Sequence, residues 1–144
     1  MKKILPFVII ILGILFLYYW KNPLSAQVKI RDSVFYVDLA IAPKDRERGL
    51  SGRKSMAQNR GVLFLFGSPG VYHFWMKDMH FPLDFIWISE STVVDIDENV
   101  PPPKTGEFPV ELSPSQSIDK VLEVNGGVVK SSRIQIGDTL QFRN

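Results

Sequence analysis

The chain has no cysteine among its 144 residues. That absence excludes thiol nucleophiles, thiolate metal sites, structural disulfides and lipid attachment through an N-terminal cysteine. Histidine is scarce: only His73 and His80 are present, and no serine stands in a GxSxG frame, so no nucleophile–base arrangement is recognisable. "GSPG" (67–70) has too few glycines and no following helix to cradle a phosphate, and no cofactor is expected. Acidic residues are missing before residue 27, where Lys2, Lys3 and Lys21 are the only charges. From Gln27 onward 14 basic residues face 15 acidic ones. Such a near-neutral domain lacks the positive footprint of a nucleic-acid binder, and no nucleic-acid partner is expected.

The N-terminus does hold a long hydrophobic run. Ile4 to Trp20 is seventeen residues without a charge, preceded by Lys2 and Lys3 and closed by Lys21. At helical rise this covers about 25 Å, near the lower limit for a bilayer core of roughly 30 Å. Tyr18, Tyr19 and Trp20 end the run, and amphipathic rings favour the membrane interface. The lysines should stay cytoplasmic, which puts the remainder outside. The expected organisation is a signal anchor and linker over residues 1–26 and an extracytoplasmic domain over 27–144. The expected location is the inner or plasma membrane, in a single pass. Cleavage near Ala26, releasing a periplasmic or secreted domain, is the alternative.

The rest reads as short strands. Phe35, Val37, Leu39 and Ile41 alternate along one strand face, and "GVLFLFG" (61–67) suits a strand buried on both faces. Pro43 followed by "KDRERGL" predicts a helix of a turn or two. "SPG" predicts a turn, after which "VYHFWMK" resumes a strand. "LDFIWI" and "TVVDID" predict a hairpin. From Asn99 to Ser117 five prolines and no clear period predict a long extended loop. "KVLEV" is a strand, "NGG" a turn, "VVKSSRI" a connector and "TLQF" a final strand. About eight short strands and one short helix predict a mostly β fold, an antiparallel β-sandwich or jelly-roll-like barrel behind the transmembrane helix.

"YHFWMKDMHFPLDFIW" (72–87) concentrates the residues that could carry chemistry. His73 and His80 are seven apart, an odd number, so an unbroken strand sends them to opposite faces. A metal site needs three or four converging ligands, and none is expected here. Asp78, Asp84 and Glu123 are the acid–base candidates. Asp84 starts a strand, where a carboxylate usually accepts backbone N–H groups, and Glu123 is expected on the polar face of its strand. Arg46 and Arg53 lie about two helical turns apart, with Arg48, Arg60 and Lys77 available nearby, and guanidinium forks suit carboxylates and phosphates.

"DRERGLSGR", "GVLFLF", "FWMKDMHFPLDFIWI", "VLEVNGG" and "IGD", in that order, resemble the DUF192 (UPF0127) family, small bacterial and archaeal proteins often secreted or membrane-anchored. The resemblance spans roughly residues 28 to 143. It implies a compact, mostly β fold of sandwich or jelly-roll type and supplies no activity. The family usually reads "GLM" where this chain has Gly49-Leu50-Ser51, and an apolar residue at His80. The leading expectation is a domain that binds a small polar, anionic or sugar ligand, or an envelope protein, through Arg46, Arg53, Trp75, Lys77, Asp84 and Glu123, rimmed by the proline-rich loop. One alternative is a hydrolase of an envelope polymer with Asp84 and Glu123 as its acid–base pair. Another is a structural or interaction module without a ligand.

Overall fold

The computed structural model of the protein describes Ile11 and residues 25–143. The expected membrane segment lies outside the described residues apart from Ile11, Ser25 and Ala26. Among the described residues no helix is long and apolar enough to cross a membrane.

Over residues 25–143, nine strands and two short helices follow in chain order: β1 (Ser25–Ile30), β2 (Ser33–Ala40), α1 (Pro43–Arg48), β3 (Arg60–Gly70), β4 (Phe74–Trp75), β5 (Leu83–Ser89), β6 (Thr92–Val100), β7 (Glu111–Leu112), β8 (Ile118–Asn125), α2 (Val128–Ser132) and β9 (Leu140–Arg143). Seven of them form one sheet in the order β6-β5-β8-β3-β2-β1-β9, while β4 and β7 pair apart as a two-stranded ribbon. The mostly β expectation holds; the sandwich or jelly-roll barrel does not. A single large sheet carries the fold, and its β2–β3 pair is parallel, reached by the crossover that contains α1. The sheet does not close. Its two ends touch where Thr92 bridges Thr139 and Val93 N–H donates to the Asp138 carbonyl.

Both faces of the sheet are packed. On one face lie Val28, Phe35, Val37, Leu63, Ile86, Ile88, Leu122 and Val124, capped by Val128 and Val129 of α2. On the other lie Val62, Phe64, Phe85, Trp87 and Val121, covered by Leu50, Met76 and Met79. Strand β5 is buried from Leu83 through Ile88, which is why "LDFIWI" shows no polar alternation: neither face meets water. Gly61 is required at the centre of the sheet. A Cβ there would lie 2.6 Å from the Glu123 carbonyl oxygen, so β3 approaches β8 too closely for any side chain.

Three local expectations need correction. Strand β3 runs on through "SPG" to Gly70, with its pairing to β8 shifted between Leu65 and Gly70; an irregularity, not a turn, absorbs the proline. "VYHFWMK" contributes only the two residues of β4, because the backbone turns at Asp78 (φ 56°). "VVKSSRI" contains helix α2, so there are two short helices among the described residues. The proline-rich segment is mostly irregular, as expected, but β7 gives it a short pairing with β4.

Candidate functional site

A cleft of about 320 Å³ opens on the second face of the sheet, within the range typical of small-molecule sites. Its floor is Phe64 of β3, Leu83 of β5 and Glu123 of β8. One wall is the end of α1 with the turn Arg48–Ser51, and the opposite wall is Tyr72–Trp75. Pro43 at the start of α1 and Gly49 at its end delimit the helix. Gly49 takes φ 45°, and a Cβ there would sit 3.1 Å from the Phe64 ring, so glycine lets the turn lie against the floor. Ser51 Oγ donates to the Lys77 carbonyl and Gly52 N–H to the Asp78 carbonyl, tying this turn to the one after β4.

Aromatic rings line the cleft in a connected set. Phe74 meets Phe64 edge-on at 5.0 Å between centroids, and Tyr72 stacks on Phe66. Trp75 is half exposed at the mouth. The ribbon holds this wall in place: Phe74 pairs with Leu112, Trp75 with Glu111, and His73 Nδ1 lies 2.8 Å from Ser113 Oγ. The proline-rich segment therefore supports the rim from behind.

Glu123 is the unusual member. Its residue is 5% exposed, and its carboxyl makes no hydrogen bond among the described residues. Every fully enclosed side-chain nitrogen or oxygen there does have a partner, so the Glu123 oxygens are not fully enclosed, and the residue lines the cleft. Burial pushes its pKa up to about 8, against the opposing pull of the Arg53 guanidinium. At neutral pH the group is mainly a carboxylic acid, able both to donate and to accept a hydrogen bond. The expected polar-face position is thus corrected: across the sheet Glu123 is opposite Val62 and Phe85, on an apolar face.

Asp84 lies elsewhere. It is opposite Val124, one pleat away from the Phe85–Glu123 pair, so it points to the other face of the sheet. Its oxygens accept N–H groups of Asn99 (2.7 Å), Gly127 (3.1 Å) and Val129 (2.7 Å). It is a backbone acceptor, as its position at a strand start suggested. The two carboxyls do not converge, and an acid–base pair made of them has no geometric basis.

The basic residues divide. Arg46 lines the cleft, with Nη1 donating to the carbonyls of Ile41 and Leu65 and its guanidinium 5.2 Å above the Phe66 ring. Arg53 Nη2 and Arg60 Nη2 each donate to Asp38 at 2.8 Å. Lys77 is exposed and is not among the residues that line the cleft. Of the six expected site residues the cleft brings together Arg46, Trp75 and Glu123, places Arg53 beside them, and leaves out Lys77 and Asp84. Residues missed from sequence are Phe64, Phe66, Tyr72, Phe74 and Asp38. The period of two in "LFLF" does put Phe64 and Phe66 on one face, a signal obscured by reading that strand as uniformly buried.

Among solved structures, the chain is similar to a protein from Sinorhizobium meliloti 1021 named as a candidate transcription regulator: 31% identity, TM-score 0.78, over 84% of this chain and 95% of that one. It is also similar to a protein of unknown function from Novosphingobium aromaticivorans DSM 12444, with 27% identity and TM-score 0.75 over 81% and 84% of the respective chains. No curated protein matches. The DUF192 family model, described as "Uncharacterized ACR", matches residues 26–142.

Proposed function

The chain belongs to the DUF192 family, and from that premise we propose that its domain is a small-molecule-binding module held outside the cytoplasm by the N-terminal apolar run. The observation that carries the reading is Glu123: a buried carboxyl with no hydrogen-bond partner among the described residues, lining an aromatic-walled cleft of ligand size. Its oxygens open to the cleft, so a ligand seated there meets a carboxyl that can both donate to it and accept from it. The apolar lining calls for a ligand with a ring or hydrocarbon body, stacked against Trp75 and the Tyr72–Phe74 wall. Arg46 at the rim suits a polar or anionic substituent. Sugars and aromatic acids both fit this description.

A ligand screen by thermal melting tests it. A compound present at 100 times its Kd should add about 2.7 kcal/mol, a shift of several degrees for a domain of this size. The hit should lose affinity by at least tenfold in Glu123→Ala and in Phe74→Ala, both checked for retained fold. Hits whose affinity is the same in both folded variants would sink the cleft as the binding site.

A further inference from the structure

A second hollow, about 490 Å³, lies beside the cleft and is lined by Asp38, Arg48, Gly49, Ser51, Gly52, Arg53 and Arg60. The two share Arg48, Gly49 and Ser51, so they abut across the turn that follows α1. We propose that the hollow is an anion subsite continuous with the cleft, and that the ligand is an organic anion: an apolar body over Glu123 and a phosphate or carboxylate head on Arg48, Arg53 and Arg60. This rests on the binding role proposed for the cleft and specifies the other end of its occupant.

Three arginines and a single carboxylate line the hollow. Asp38 is buried and receives one nitrogen from each of Arg53 and Arg60. Each fork keeps further N–H donors, which Asp38 holds in a fixed orientation and does not consume. Arg48 makes no side-chain hydrogen bond among the described residues and faces both hollows. The positive excess, on pre-oriented forks, is what recognises a phosphate or carboxylate.

The spacing suits one molecule. Asp38 is opposite Val62, and Val62 is opposite Glu123, so all three share one row across the sheet. Asp38 and Glu123 are thus two strands apart, roughly 10 Å. Arg53 stands between them, bonded to Asp38 and felt electrostatically by Glu123. A ring over Glu123 with a linker of a few carbons places its head group at Arg53.

Calorimetric titration of the full chain with 4-phenylbutyl phosphate, 4-phenylbutanol and inorganic phosphate tests the proposal. The organic phosphate should bind at least tenfold more tightly than either the alcohol or inorganic phosphate. Arg48→Gln, which breaks no side-chain hydrogen bond among the described residues, should reduce that advantage severalfold, the organic phosphate losing far more affinity than the alcohol. Arg60→Gln should do the same if its melt shows a folded domain. Equal affinity for the alcohol and the organic phosphate would overturn the anion subsite while leaving the cleft intact. Inorganic phosphate binding as tightly as the organic one would overturn the continuity of the two hollows. No binding of any probe, with a negative ligand screen, would remove the cleft reading itself. Repeating the titration with phosphatidylcholine vesicles, with and without phosphatidic acid, separates the sources. Competition by phosphatidic acid supports a lipid head group as the anion, and lack of it supports a soluble one.

Discussion

Glu123 holds its proton to about pH 8 because burial disfavours its charged form more than the nearby Arg53 guanidinium favours it. The consequence for stability has a definite sign. Its ordinary value is 4.5, so between about pH 4.5 and 8 the folded state binds more protons than the unfolded one. Stability from this group is fully present below the lower value and is lost as pH rises through the upper one. Urea unfolding should show the wild type losing on the order of 5 kcal/mol across that window. Glu123→Gln, which mimics the neutral acid, should remove most of this slope and be the more stable protein at pH 9. A wild-type profile as flat as that of Glu123→Gln would mean that the carboxylate is solvated in the folded protein. From sequence, Glu123 in "VLEVN" looked like a polar-face residue. A lone carboxylate between apolar neighbours has that reading by default, because the pattern records alternation and not what covers each face.

Helix α2 shows how an element can be fixed from a distance. "VVKSS" has two β-branched residues and two serines, a poor helical composition, and its N-cap, Gly127, has no side chain to cap with. The cap comes instead from Asp84 on β5, which accepts N–H groups of Gly127 and Val129 and a third from Asn99 at the end of β6. This carboxylate joins three elements, and no local sequence pattern could reveal the partnership. Asp84→Asn leaves one acceptor oxygen and turns an NH₂ toward a backbone donor, which should cost about 2–4 kcal/mol in denaturant unfolding. Amide exchange at Val129 and Asn99 should quicken more than in β1 or β2. A loss below about 0.5 kcal/mol would show that these N–H groups find other partners. The helix α1, by contrast, was legible because Pro43 and Gly49 are local punctuation.

At the scale of the molecule, strand existence was readable and strand order was not. Alternation and turn residues mark where strands fall, but the parallel β2–β3 pair and the single sheet depend on long-range pairing. The cleft follows from that order, since Phe64, Leu83 and Glu123 reach its floor from strands that the sheet makes neighbours. The proposed anchoring depends on none of this. It rests on the charge-free run Ile4–Trp20 behind Lys2 and Lys3, and the same cysteine-free composition makes it testable. Thr105 is exposed in the proline-rich segment, so Thr105→Cys gives one thiol in a chain that otherwise has none. In spheroplasts a membrane-impermeant maleimide should label that thiol without lysis, and the labelled protein should stay with the membranes through a carbonate wash. Label on a shortened, soluble product would indicate cleavage near Ala26 and a released domain. Labelling only after lysis would place the domain in the cytoplasm and end the extracytoplasmic assignment, while leaving the cleft and its ligand chemistry to stand on their own tests.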